Sequence, residues 1–376
     1  MHTYTSPLLI AALLLAAIFG AGTATALTAS AGELTTFRYC VQHPWDHRLG
    51  RGNSTSNGLL NWRYTTGDSV ESAPTVANGI VYVGSNDSNV YALNATTGMK
   101  VWSFRTGYGV NSNPTIAYGI VYVGSDDNNV YALDGTTGTK VWNYTTGDSV
   151  FSSPTIAYGI VYVGSDDNDV YALNARSGTK VWNYTTGASV DSSPAVANGI
   201  VYIGSNDKNV YALDAWTGTK VWSYKTQGAV YSSPTVANGS VYIGSGDSNV
   251  YALNANTGVK VWSYKTGAYL WSKTVVANDI VYIGSADHNI YALNAITGVK
   301  MWNYTTGGSV LSDPTIANGI VYVGCDDHNV YALDARTGGV VWSFLTGDIV
   351  ESSPTIANGI VYVGCDDNNV YALGKQ

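Results

Sequence analysis

The segment VYVGSDDNNVYALDGTTGTKVWNYTTG, residues 121 to 147, recurs with small changes at a spacing of 40 residues. A tryptophan closes each copy, at Trp62, Trp102, Trp142, Trp182, Trp222, Trp262, Trp302 and Trp342, with no insertion or deletion between them. A fixed period of this length marks an array of one supersecondary unit, whose copies must cover one another because a single unit cannot bury its own apolar faces. The period runs unbroken over residues 57–376, which argues for one domain.

The first 56 residues lie outside the period. Pro7 to Gly22 is an apolar run, and Ala24-Thr25-Ala26 after it suits cleavage behind Ala26, so residues 1–26 are expected to be a signal peptide. The run lacks a basic flank, which leaves an uncleaved membrane anchor as the alternative. Either way the protein is expected to be exported, secreted or held at the cell surface, and any membrane contact is expected only through this segment. Residues 27–56 form an N-terminal extension that the period does not explain.

Net charge is −8, and six lysines occupy one repeat position (Lys100, Lys140, Lys180, Lys220, Lys260, Lys300). No basic patch points to nucleic acid. The three cysteines, Cys40, Cys325 and Cys365, cannot make a disulfide framework, so the fold rests on its core. Sequons at Asn53, Asn86, Asn94, Asn143, Asn183, Asn238 and Asn303 are glycan acceptors if the host glycosylates exported chains.

Within a unit the turn chemistry separates four strands. In the copy at residues 110 to 147 these are Val110 to Ala117, Ile120 to Ser125, Val130 to Asp134 and Lys140 to Thr146, broken by Tyr118-Gly119, the Asx-rich Asp126 to Asn129, and Gly135 to Gly138. The runs IVYVGS and NVYALD are apolar on both alternating faces, so each sheet must be covered on both sides. Four-stranded sheets packed face to face around an axis satisfy this as a β-propeller. A parallel β-helix also repeats, but with shorter coils. The expected fold is all-β: an eight-bladed propeller of four-stranded antiparallel blades over residues 57–376. Its end at YALGKQ lacks a fourth strand, and GLLNWRYTT (Gly58 to Thr66) matches the missing piece, so the N-terminal strand is expected to pair with the C-terminal three and close the ring.

The stretch Ala332, Asp334, Thr337, Gly338, Trp342 fits A-x-D-x-x-T-G-x-x-x-W, and six further copies keep the Thr-Gly or Ser-Gly and the Trp. This resembles the tryptophan-docking motif of eight-bladed quinoprotein propellers, the PQQ-like repeat superfamily that also contains BamB-like proteins. The resemblance implies that the eight tryptophans dock between blades and are structural. PQQ-dependent dehydrogenases of that superfamily carry long excursions around the cofactor and an adjacent cysteine pair. Neither feature occurs here, nor does a C-x-x-C-H haem site, so the chain is more similar to the non-catalytic members and no cofactor is expected.

Four sets of residues are candidates for function. Asp87, Asp127, Asp167, Asp207, Asp247, Asp287, Asp327 and Asp367 hold one place in the hairpin between the second and third strands, either as a cation-binding rim or as turn residues bonding local backbone. Cys325, His328, Cys365 and His288 are zinc-ligand types in neighbouring hairpins, or two are simply buried thiols replacing serine. The copies disagree most just before the first strand, at Glu71, Asn111, Phe151, Asp191, Tyr231, Trp271, Leu311 and Glu351, and two residues later at Ala73, Asn113, Ser153, Ser193, Ser233, Lys273, Asp313 and Ser353. By the resemblance these ring the channel mouth, as drifting positions or as a surface for a partner. The sixth copy is the outlier, with Trp271, Lys273, Thr274 for proline and Asp279 for glycine. In the dehydrogenases a tryptophan stacks under the quinone, and Trp271 admits that reading.

These features lead to an exported, non-catalytic, monomeric propeller that binds a protein partner or a surface glycan as a scaffold. The alternatives are a PQQ and calcium dependent dehydrogenase-like protein and a carbohydrate-binding propeller.

Overall fold

A computed structural model of the chain describes residues 60–374, all within one compact unit. The expected signal peptide, the extension at 27–56, Cys40, Asn53 and the last two residues lie outside the described residues.

Each 40-residue copy folds as the turn chemistry requires. In the second blade Thr115–Ala117, Ile120–Gly124, Asn129–Asp134 and Lys140–Thr145 pair in sequence, each antiparallel to the next. Tyr118 and Gly119, with φ of 55° and 76°, make the two-residue turn of left-handed residues that matches strand twist. Six other blades place Asn at the first turn position, and in the sixth Asp279 takes the left-handed second position at φ 57°. A bulge between Ala132 and Leu133 in the third-to-fourth strand pairing leaves Lys140 and Val141 exposed and turns Trp142 inward.

The first strand is shorter than the sequence suggests, Thr115–Ala117 rather than Val110 to Ala117. Residues before it satisfy their backbone sideways. Val110 N–H donates to Ser85 O in the preceding blade, Asn113 N–H donates to Ser153 Oγ in the next, and Pro114 has no N–H. They belong to the seam between blades and not to a ladder.

Eight such four-stranded sheets form the ring. Blades are numbered here by their inner strands, from Thr75–Ala77 (blade one) to Thr355–Ala357 (blade eight). Blade eight takes its outer strand from the chain's beginning: Leu60–Thr65 pairs antiparallel with Asn369–Leu373, giving the expected closure. The second and third strands are buried on both faces, and each core layer is shared by two blades. One layer joins Tyr82, Val90 and Trp102 of blade one to Val110, Val121 and Leu133 of blade two. Burial of this kind stabilises by about 25 cal/mol per Å² of apolar surface, so the blades hold one another and none is a folding unit alone.

Polar side chains fix the spacing. Tyr82 Oη and Trp102 Nε1 both donate to the Gly135 carbonyl of the next blade, at 2.9 and 3.0 Å. The same Trp bond runs from Trp62, Trp142, Trp182, Trp222, Trp262 and Trp302 to the following blade. The acceptor equivalent for Trp342 falls at residue 375, outside the described residues. Gly138 must be glycine twice over, because φ is 73° and a Cβ would lie 2.7 Å from the Trp102 ring.

Candidate functional site

The eight hairpin aspartates act within the fold. Asp287 accepts from Gly267 N–H at 2.6 Å, from Asn289 N–H at 3.1 Å and from Tyr291 Oη at 2.7 Å. Its carboxyl is held below the usual range: burial acts upward, but the bonds from Tyr291, Asn289 and Gly267 together outweigh it. Gly267 follows the outer strand of the preceding blade, so each such aspartate also ties two blades together. Cys325 and Cys365 are fully buried and donate to the Gly308 and Asp348 carbonyls at 3.4 Å, as Ser85 does to Asp68 O at 3.1 Å. They occupy a serine's place in a serine's bond. His328 is half-exposed, 3.9 Å from Asp348.

Beside the inner strands, two rings of bonds link blade to blade. Ser112 Oγ donates to Ser152 O, and Ser352 Oγ to Ser72 O across the closure. One residue further on, the backbone N–H of each position donates to the side chain one blade ahead: Ala73 to Asn113, Asn113 to Ser153, Ser153 to Ser193, Ser193 to Ser233, Lys273 to Asp313 and Asp313 to Ser353. The chain departs from this pattern at Lys273 and Ala73, whose side chains carry no acceptor. Asp313 thus serves as a latch.

On this girdle sit the residues that vary most. Tyr231 and Trp271, from adjacent blades, stack with ring centroids 4.6 Å apart and planes 15° from parallel. With Ala229, Gly246 and Tyr269 they line a depression of about 390 Å³. Trp271 is 46% exposed and Tyr269 44%. Phe151 is exposed, while Leu311 and Lys273 are half-buried.

The rest of the ring is acidic. Glu71 accepts from Asn86 Nδ2 at 2.8 Å, Asn111 donates to Asp126 at 3.2 Å, and Asp191 accepts from Asn206 at 3.0 Å. Asp166 lies beside Asp191 of the neighbouring blade. Burial, then Asp191, pushes Asp166 up to about 7. Burial, then Glu71, Asp366 and Asp326, pushes Glu351 up to about 7. Asp126 and Asp366 rise to about 6, from burial and then Glu71. Like charges crowded at partly buried positions resist ionisation together.

One column carries this asymmetry and is easily overlooked in the sequence. At the start of the second-to-third strand hairpin the copies read Asn86, Asp126, Asp166, Asn206, Gly246, Ala286, Asp326 and Asp366. The two small residues fall in blades five and six, the blades that carry Tyr231 and Trp271. The pairing of an aromatic with a missing side chain beside it is legible once the two columns are set side by side. All six polar members leave an oxygen buried without a hydrogen-bond partner.

Fold and mouth define a closed eight-bladed propeller with one aromatic and one acidic side to its inner rim. Residues 52–239 match the family model described as the beta-propeller of beta-alanine-activating enzyme, and residues 264–376 match that of outer membrane protein assembly factor BamB. The chain belongs to the PQQ-like β-propeller family. No curated protein sequence matches it. Among solved structures it is similar to BamB from Moraxella catarrhalis (21% identity, TM-score 0.74, covering 85% of this chain and 100% of that one). The computationally designed Ika8 protein gives 17% and 0.77, over 85% and 100%. Quinohemoprotein alcohol dehydrogenase ADHIIG from Pseudomonas putida HK5 gives 17% and 0.69, over 84% and 76%.

PQQ fits this mouth poorly. It is a tricarboxylate, and the rim sets Glu71, Asp126, Asp166, Asp191, Glu351 and Asp366 where a quinoprotein would need cations. Cys325 and Cys365 lie in different blades and do not form an adjacent pair. Among the described residues no three His, Cys, Asp or Glu side chains converge to hold a metal such as calcium.

Proposed function

We propose that this protein is an exported, non-catalytic propeller whose inner rim docks a protein partner at the cell envelope or outside the cell. The observation that carries the reading is exposed Trp271 stacked on half-buried Tyr231 over their cavity. The eight motif tryptophans and their tyrosine neighbours are committed to the core layers, as Tyr82 and Trp102 of blade one are at 5.9 Å, while the other exposed aromatic pair, Tyr158 and Trp216 at 5.3 Å, sits in turns between strands. Exposed aromatics on a rigid frame are what partners bind as anchors. The scaffold around them repeats eight times, while the rim differs from blade to blade, so the rim is where specificity can reside. Export rests on the apolar run from Pro7 to Gly22.

A photo-crosslinking residue at position 271, compared with one at Ile296 in the turn between the third and fourth strands of blade six, tests the reading in the native host. Docking predicts a defined protein adduct from 271 and none from 296. Equal labelling at both positions, or none at 271, contradicts it. A glycan array that responds through Trp271 would replace the protein partner with a surface glycan.

A further inference from the structure

The chemistry of the rim specifies the partner more closely than its shape does, and the following step rests on the docking reading above. We infer that the cavity of blades five and six receives an arginine or lysine side chain from a basic peptide segment of the partner. Three observations converge on this.

First, the cavity walls are aromatic. Trp271, Tyr231 and Tyr269 can cover the aliphatic stem of a long basic side chain and face its cationic head with a ring. Gly246 is what keeps the space open, because a Cβ there would lie 3.5 Å from the Tyr231 ring and 3.1 Å from the Ala229 carbonyl.

Second, the remaining rim offers acceptors and few donors. Glu71, Asp126, Asp191, Glu351 and Asp366 bring partly exposed carboxylates to it, and the amide groups of Asn86, Asn111 and Asn206 already donate to neighbouring carboxylates. Guanidinium and ammonium groups are donors only. A sugar brings donors and acceptors together, and its acceptors would find little to bond here.

Third, the charge is complementary. Glu71 stands close enough to Glu351, Asp366 and Asp126 to raise their proton affinity, and a bound cation replaces that repulsion with attraction. The aromatic cavity then anchors one basic residue while the acidic arc holds others along the same segment.

The test is fluorescence anisotropy of the full chain with short labelled peptides of Arg and Ser, Lys and Ser, or Glu and Ser, at low and physiological salt. The basic peptides should bind and the acidic one should not. Trp271→Ala and Gly246→Asn, the second filling the cavity with a residue that blade four carries at that place, should each weaken binding about tenfold. Trp271 is exposed and Gly246 half-buried, and unchanged thermal melting will show that the ring is intact. Basic peptides that bind equally well to both variants would reduce the effect to diffuse attraction and overturn the anchor. Absence of binding by either basic peptide would overturn the chemistry. A specific crosslink from position 271 to a partner segment without Lys or Arg would do the same while leaving the docking reading in place.

Discussion

Trp62 and Tyr362 stand 300 residues apart in sequence and donate to one acceptor, the carbonyl of Ala95, at 2.9 and 3.0 Å. Their rings meet at 5.8 Å. Both belong to blade eight, one from the first strand of the ring and one from its last blade, and both reach into blade one. The seam between blades eight and one is therefore built like the other seams, with residues 66–74 carrying the chain across it, and the non-covalent junction falls inside blade eight, between Leu60–Thr65 and Asn369–Leu373.

Removal of Leu60 to Thr66 takes away this strand and bares the edge of Asn369–Leu373, so the product should aggregate, as size-exclusion chromatography and light scattering would register. Trp62→Ala should keep the ring closed at a cost of about 3–5 kcal/mol in urea unfolding. A soluble, monomeric deletion product would contradict closure by strand pairing.

Asp287→Ala leaves Tyr291 Oη and two backbone N–H groups without their acceptor. Stability should drop by about 2–3 kcal/mol. The same substitution in any blade should behave alike, since the role is structural. A loss of bound cation without a loss of stability would instead restore the carboxylate rim as a binding site.

Stability should also depend on pH in a direction unusual for an acidic protein. Glu351 and Asp166 hold their protons to about 7, and Asp126 and Asp366 to about 6. The unfolded chain releases them near the ordinary carboxylate value, so the folded state binds more protons between about 4 and 7. This contribution is full below that window and is lost as pH rises through it. Aspartates of the Asp287 kind act oppositely and lose theirs only as pH falls below the ordinary carboxylate range. Thermal melting should therefore peak in mild acid and decline toward pH 8, and Glu351→Gln with Asp166→Asn should flatten the decline. A melting temperature that rises from pH 5 to pH 8 would rule this out.

Burial pushes the Cys325 thiol up to about 12 and the Cys365 thiol up to about 11. Neither should react with a thiol reagent until the protein unfolds. Cys325→Ser and Cys365→Ser should each change stability by less than about 1 kcal/mol, because serine holds that place in the other six blades and makes the same bond in five of them. Rapid labelling of the native protein would contradict the packing described.

Much of this architecture is legible in the sequence because the determinants repeat. The spacing of the tryptophans fixes eight units, strands apolar on both faces demand neighbours, and the match of GLLNWRYTT to the missing strand gives the closure. The limits of the inner strand are not legible in the same way, since Val110 to Pro114 has strand-like composition while its backbone bonds run across to other blades, a choice of partner that no local pattern encodes. The rim divides in the same way. Trp271 stands out as an exception within one column, but the cavity it borders depends on Gly246 in another column and on Tyr269 in a third. Only the fold brings the three together. Asp313 shows the converse: it varies like a binding residue, yet its carboxylate accepts the Lys273 N–H in the girdle.

Whether this chain is a docking propeller or a quinoprotein enzyme is decided most directly by calorimetric titration of the purified protein with PQQ in the presence of calcium, with tryptophan fluorescence followed in parallel. A rim whose side away from Trp271 is acidic predicts no saturable heat and no saturable quenching. One-to-one binding at micromolar concentration or tighter would contradict that prediction and place a cofactor where a partner is proposed.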